Sequence, residues 1–431
     1  MKLWEKGIAT EAAIEAFTVG NDRDYDRYLA KYDIKASAAH AKMLAGCKFI
    51  TDAELDTLLL GLDRLAEKVS EPDFEIEEQF EDIHSYIEFF LTQTYGEVGK
   101  KIHTARSRND QVLTAIQLYT TDQLNLLIDR TANFAELLLT LADQYKEVLM
   151  PGYTHLQVAM PSSFGLWLSA YSETLCDDII ALKAAAVVAD QNPLGSAAGY
   201  GSNFDIDREL TTELMGFATL KVNAISAQML RGRIERIATG AIAQLGATLA
   251  KLAGDICLYM GQDYGFLKFS DQITTGSSIM PHKKNPDVFE LIRAKGNALS
   301  GVPVQIATLV ANLPTGYHRD LQLTKPLLID SFLEIETLLS IFAPTIETIQ
   351  PTANLLNQDK YAYVWSVDTL NAMVSSGLPF RDAYKQMAES IANGTYVPDR
   401  SAQHTHLGSI GNLGLDKIRH KLQMAVSKGH Y

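Results

Sequence analysis

Between Thr275 and Glu290 the chain reads TGSSIMPHKKNPDVFE, with paired hydroxyls, paired ammoniums, an amide and carboxylates set among chain breakers. Gly276 lets the backbone approach a ligand closely. Pro281 and Pro286 limit regular structure, and Pro286 is suited to the first turn of a following helix. So polar a segment cannot be a core element. It reads as a loop that gathers Ser277, Ser278, Lys283 and Asn285 around an anion. A solvated surface loop is the plainer alternative, but the density of chemically distinct groups favours a site.

Four other polar segments could supply the remaining walls. HTARSRNDQ, His103 to Gln111, sets two arginines where a long helix begins. The helix dipole favours anions at that end, so Arg106 and Arg108 beside open backbone N–H groups are expected to form an anion site. PGYTHLQ, Pro151 to Gln157, marks a turn between two buried helices, and its histidine is either structural or an acid–base group. NPLGSAAGYGSN, Asn192 to Asn203, is glycine-rich but lacks the lysine and preceding strand of a phosphate loop. TGYHRDLQLTK, Thr315 to Lys325, adds a tyrosine, an amide and a lysine. No HExxH, EF-hand or Cys/His spacing occurs, so no metal is expected.

These segments punctuate long helical patterns. Val112 to Tyr145 and Leu166 to Asn192 are apolar around most of their circumference, which requires burial in a bundle. Gln228 to Met260 carries glycines at near-heptad spacing, a face where another helix can approach closely. Val288 to Leu313 and Pro326 to Ile349 add a fourth and a fifth. Upstream, Lys35 to Cys47 and Asp52 to Val69 have helical periodicity, with Asp52 as N-cap, and a further pattern runs through Tyr95. The acidic run EIEEQFEDIH reads as a solvated helix face apart from His84. The region from Pro351 is short and amphipathic, with turn signals at Gly377-Leu378-Pro379 and Gly394. The expected fold is all-α: residues 1–103 as an N-terminal helical domain, 104–350 as a long central bundle, and 351–431 as a small helical domain. The length of 431 residues gives the same soft prior of about three domains. Apolar faces on rods this long imply self-association.

Composition excludes several classes. A net charge of −14 with no basic block argues against nucleic acid, though not against a small anionic substrate. Polar residues interrupt every longer apolar stretch, so neither a membrane span nor a signal peptide is expected. Cys47, Cys176 and Cys257 stand far apart and read as buried, reduced thiols of a cytoplasmic protein.

GSSIMPHKKNPDVFELIR closely resembles the signature of the fumarase/aspartase superfamily, whose members release fumarate from a substituted succinate. With HTARSRNDQV, GYTHLQ and GYHRDLQLTK, the resemblance narrows to the argininosuccinate lyase family, which is related to δ-crystallin. It covers most of the chain, from Leu3-Trp4 to LPFRDAY near 380. It implies three mainly helical domains, a central five-helix bundle, and a homotetramer whose active sites each draw on three subunits. No cofactor is implied. By position, Ser277 matches the base that takes a proton from carbon. Lys283 and Asn285 match groups that support the adjacent carboxylate. Thr154 matches a substrate-binding threonine, His155 the histidine that protonates the leaving group, and Glu290 the carboxylate paired with it. Asn109, Tyr317, Gln322 and Lys325 match substrate-binding positions, with Arg108 beside Asn109. Departures occur at Glu5-Lys6-Gly7-Ile8, where the family has GGRF, at Val158 and Met160, and around Ser226 to Arg233.

The chemistry implied would need these groups. Removing a proton beside a carboxylate places two negative charges on one small group, which preorganised donors must meet. Lys283 and Asn285 can do so, and the same positive surroundings favour a serine alkoxide. A histidine of pKa about 6.5 suits protonation of the departing guanidino nitrogen. Adenylosuccinate lyase shares the MPHK loop and is the nearest rival, but HTARSRND and GYHRDLQ favour argininosuccinate. A crystallin-like structural protein would need none of Ser277, Lys283, Asn285, His155 or Glu290, and a plain helical scaffold leaves all the polar clusters unexplained.

Overall fold

A computed structural model describes residues 12–400 and 404–427, so Glu5-Lys6-Gly7-Ile8 lies outside the described residues. The described residues are mainly helical. In order the α-helices are α1 (Ala12–Val19), α2 (Asp22–Gly46), α3 (Asp52–Val69), α4 (Ile83–Tyr95), α5 (Glu97–Lys100) and the long α6 (Arg108–Gln144). A hairpin follows, β1 (Leu149–Thr154) and β2 (Gln157–Ser163), then α7 (Phe164–Ala189), α8 (Arg208–Met215), α9 (Ala224–Gln228) and α10 (Arg233–Met260). The remainder comprises α11 (Asp287–Leu299), α12 (Val302–Leu309), α13 (Thr324–Ile346), α14 (Ser366–Ser375), α15 (Phe380–Ala392) and α16 (Leu415–Val426). The other extended pairings among the described residues are two residues long or single bridges.

Contacts divide the chain into two compact units. Among the described residues, the first comprises 12–127, 181–243 and 299–334. Its N-terminal part packs α2, α3 and α4 around Leu44, Leu58, Leu62, Phe80, Ile83 and Leu91. The cap of α3 is Thr51, one residue before the expected Asp52. Glu54 N donates to the Thr51 hydroxyl at 3.3 Å, and Thr51 N donates to the Glu54 carboxylate at 3.0 Å. This reciprocal box satisfies two helix-end amides that a lone Asp52 would leave open.

The second unit comprises, among the described residues, 128–180, 244–298, 335–400 and 404–427. Here the glycine face of α10 receives α11. A Cβ on Gly296 would lie 2.5 Å from the Gly246 carbonyl oxygen, so the two backbones approach too closely for any side chain. Length and composition would let α10 cross a bilayer. Its Asp255 instead accepts hydrogen bonds from Trp167 Nε1 at 3.0 Å and Tyr171 Oη at 2.6 Å on α7, and more than half of its apolar stretch is buried in protein. Toward the C-terminus, α14 and α15 close over Leu370, Ala383 and Met387.

Three expectations need correction. The fourth long pattern is two helices, because Pro303 cannot donate and its ring clashes with the carbonyl four residues back, at Leu299, where α11 ends. The turn at 151–157 is a β-hairpin, with Thr154 paired to Gln157. Of the cysteines only Cys176 is buried; Cys47 and Cys257 are partly exposed.

Candidate active site

The first unit holds a cavity of about 240 Å³ that collects distant parts of the chain. The start of α2 supplies Asp22 and Asp26, the entry to α4 supplies Asp82, and the first turn of α6 supplies Arg108 and Asn109. Arg231 comes from just before α10, Tyr317, Arg319 and Gln322 from the segment that leads into α13, and Lys325 from the first turn of α13. All five expected substrate-binding positions of this unit, Arg108, Asn109, Tyr317, Gln322 and Lys325, therefore line one cavity.

Its charges are paired. Lys325 is fully buried, with Nζ 2.7 Å from Asp22 Oδ1 and in contact with Asp26. Burial alone would lower the pKa of this ammonium, but the Asp26 and Asp22 carboxylates outweigh it and hold the group above its ordinary value. Arg108 bridges Glu81, at 3.0 Å, and Asp82. Arg319 reaches Glu81 at 2.6 Å and the Thr18 carbonyl at 2.7 Å, and Gln322 donates to the Val19 carbonyl at 3.0 Å. Burial pushes the Glu81 carboxyl up, yet the two arginines win and hold it below the usual range. Arg231 stands 3.3 Å from Glu235. Every cation of the cavity thus has a carboxylate beside it.

Two readings change here. The acidic run is no solvated face at its end: Glu81 and Asp82 are buried and hold the arginines. Nor do Arg106 and Arg108 make an open anion site. Arg106 is buried and donates to Ser37 Oγ at 3.0 Å, and Arg108 is taken by its two carboxylates. The missed polar residues of the cavity are Asp22, Asp26, Asp82, Arg231 and Arg319. Asp22 and Asp26 do stand four apart, on one helical face, and Arg319 lies within a motif already singled out.

In the second unit, the loop from 275 to 290 is pinned at its neck. Asn285 N donates to the Thr275 carbonyl at 2.8 Å, and Thr275 N returns the bond to Asn285 O at 3.3 Å. Beyond it, Phe289 anchors the start of α11 against Phe269 and Phe342, with ring centroids 4.8 and 5.8 Å away. Lys283, Asn285 and Glu290 line a second cavity of about 390 Å³, with Cys257, Met260 and His282. Ser277, on the same loop, is half-buried, and its Oγ accepts from Met280 N at 3.1 Å and Ile279 N at 3.3 Å. Donors aimed at that oxygen stabilise negative charge on it. Lys283 is exposed and makes no ion pair among the described residues.

Thr154 and His155 occupy the exposed tip of the hairpin and line neither cavity. His155 and Leu156 both take left-handed backbone, φ 53° and 58°, as a two-residue turn of this type demands. Within one chain, no hydrogen bond or ion pair among the described residues joins His155 to Glu290.

Residues 5–301 match the Lyase family. The argininosuccinate lyase of Parabacteroides distasonis is 48% identical over 425 residues, covering 99% of this chain and 95% of that protein. The argininosuccinate lyase of Thermotoga neapolitana is 39% identical over 388 residues, 90% of this chain and 98% of its own length. The chain belongs to the argininosuccinate lyase family. Members of this family are carbon–nitrogen lyases, and so is this enzyme. Solved structures agree in fold. An EDDS lyase in complex with formate superposes with a TM-score of 0.76 at 22% identity, covering 97% of this chain and 91% of that one. A fumarate lyase/delta crystallin from Brucella melitensis, bound to cobalt, gives 0.72 at 17% identity, covering 93% and 91%. The all-α, fumarase/aspartase-like architecture of the argininosuccinate lyase family is thereby shown for this chain.

Proposed function

We propose that the protein cleaves argininosuccinate to arginine and fumarate, as a cytoplasmic homotetramer serving arginine biosynthesis. A division of the chain into three helical domains at 1–103, 104–350 and 351–431 belongs to the same reading. The observation that carries it is the convergence of Arg108, Asn109, Tyr317, Gln322 and Lys325 on one cavity from two distant segments of the chain.

The chemistry follows from the two kinds of surface. A cavity whose cations are matched by carboxylates suits the amino-acid half of the substrate, which carries both signs. The amides of Asn109 and Gln322 and the phenol of Tyr317 add directional hydrogen bonds. The loop bearing unpaired Lys283 and the amide of Asn285, contributed by another subunit, suits the succinyl dianion. Ser277, as alkoxide, takes the proton beside the carboxylate, and charge on the resulting carbanion is met by Lys283, Asn285 and loop amides. His155, held by Glu290 across a subunit boundary, then delivers a proton to the departing guanidino nitrogen. Both steps are acid–base chemistry on a substrate with its own electron sink, and no cofactor or metal is invoked.

The test is direct. The protein is incubated separately with argininosuccinate, adenylosuccinate, aspartate and malate, and fumarate is followed by ultraviolet absorbance. Release from argininosuccinate alone is the expected result. Release from adenylosuccinate instead would reassign the substrate, and no release from any would favour a crystallin-like structural role.

A further inference from the structure

The glycine-rich segment at 192–203 has no part in the chemistry above, yet it is fastened to the cavity wall by a single carboxylate. Asp110, in the first turn of α6, has no exposed surface. Its Oδ1 accepts from Ser107 N at 2.9 Å, while the Ser107 hydroxyl accepts from Asn109 N at 3.3 Å. That half caps α6 where Arg108 and Asn109 leave for the cavity. Its Oδ2 accepts from Gly195 N at 2.9 Å and Ala197 N at 2.8 Å. Ala197 holds left-handed backbone, φ 52°, to present its amide. Gln228 ties the loop from the other side, donating to Ser196 Oγ at 3.0 Å. Further along the loop, the Tyr200 hydroxyl would lie 3.5 Å from a Cβ placed on Gly316, beside Tyr317.

We propose that Asp110 is a positioning residue: by clamping the 195–201 loop to the first turn of α6, it fixes Arg108, Asn109 and the Tyr317 segment in the geometry that binds the amino-acid half of the substrate. Two alternatives are weaker. A helix cap alone would use one oxygen and leave Oδ2 to water, whereas here both oxygens accept from backbone amides, Oδ2 from two of them. A core polar group alone would not tie a loop outside the cavity to the helix turn that supplies two of its lining residues, Arg108 and Asn109. Burial pushes the Asp110 carboxyl up to about 6, while the amide bonds and Arg106 favour its ionised form, the acceptor-only state this clamp needs at neutral pH. Asparagine cannot replace it, since its NH2 would face one set of N–H donors.

The inference rests on the proposed lyase activity for its kinetic part only. In Asp110→Asn, amide hydrogen exchange across 192–203 is expected to quicken by about tenfold while the α10 core is unchanged. KM for argininosuccinate is expected to rise by about tenfold or more, with kcat changed far less. Gln228→Leu, which leaves the carboxylate and the α6 cap intact, should show the same pattern more weakly, and it serves if Asp110→Asn does not fold. Unchanged exchange in the loop overturns the clamp. Faster exchange with KM unchanged, or with kcat falling instead, overturns the positioning role. If wild type and variants all lack turnover, the functional reading fails, and exchange alone still decides the clamp.

Discussion

Ser277 is neutral at ordinary pH and becomes a base only where its surroundings favour the alkoxide. Two loop amides already point at its oxygen, and Lys283 stands on the same loop without a carboxylate partner among the described residues. Ser277→Ala removes the base and keeps the charge-holding groups. Turnover should fall by a factor of about a thousand or more while substrate still binds in calorimetry. Near-normal turnover would remove Ser277 from its role. A second residue makes a prediction about pH. Asp178 on α7 is buried, one of its oxygens has no hydrogen-bond partner, and burial pushes its carboxyl up to about 6 against weak opposition from Thr248. A raised carboxyl pKa means the folded state binds the proton more tightly than the unfolded chain. Its stability contribution is therefore present below about pH 4 and lost as pH rises through 6. Asp178→Asn should raise the unfolding free energy at pH 7.5 by up to about 3 kcal/mol, and much less at pH 4.5, as read from denaturant titrations. An equal gain at both pH values would assign the effect to packing rather than charge.

At the scale of elements, the tip of the β1–β2 hairpin is the sharpest local compromise. Left-handed backbone at a non-glycine residue costs on the order of 1 kcal/mol or more, and Leu156 carries it with its side chain exposed. Leu156→Gly should raise thermal stability by up to about 1 kcal/mol. If the strained tip also aims His155, the same change should lower turnover; a stabilised variant with full activity would show the strain to be incidental. This hairpin also shows where the sequence was silent. PGYTHLQVAMPS has a proline and glycine in the first strand and none of the Asn-Gly or Gly-Gly pairs that mark such turns, so the motif was legible and its conformation was not. The long helices were legible because α6, α7 and α10 are apolar over many turns, and periodicity accumulates with length. The split between α11 and α12 was carried by one proline that the overall pattern outweighed. Glu81 and Asp82 were misread for a different reason: burial of a carboxylate depends on the arginines it meets, Arg108 and Arg319, and the second lies far along the chain. Of the motif residues, five line one cavity and three another, while Ser277, Thr154 and His155 line neither.

At the scale of the molecule, the question is what completes the site. The long helices leave large apolar side chains in solvent: Ile180 and Val187 on α7, Leu258 on α10, and Leu333 and Ile341 on α13. Rows of this kind on bundle helices are what a symmetric oligomer covers. Within one chain His155 and Glu290 are not joined, although the proposed mechanism needs them together. Both facts are met if each site takes its hairpin tip from one subunit and its 275–290 loop from another. That arrangement makes a prediction no single-chain site shares. Ser277→Ala and His155→Asn chains are each expected to be nearly inactive alone. Unfolded together in equal amounts and refolded as mixed tetramers, they should regain activity, because about a quarter of the sites then take an intact serine from one chain and an intact histidine from another. Sedimentation should show the tetramer in every sample, so that recovery reflects shared sites rather than assembly. Mixed tetramers with no activity above either parent would mean that serine and histidine serve a site from the same chain, and the subunit-sharing part of the mechanism would have to be abandoned.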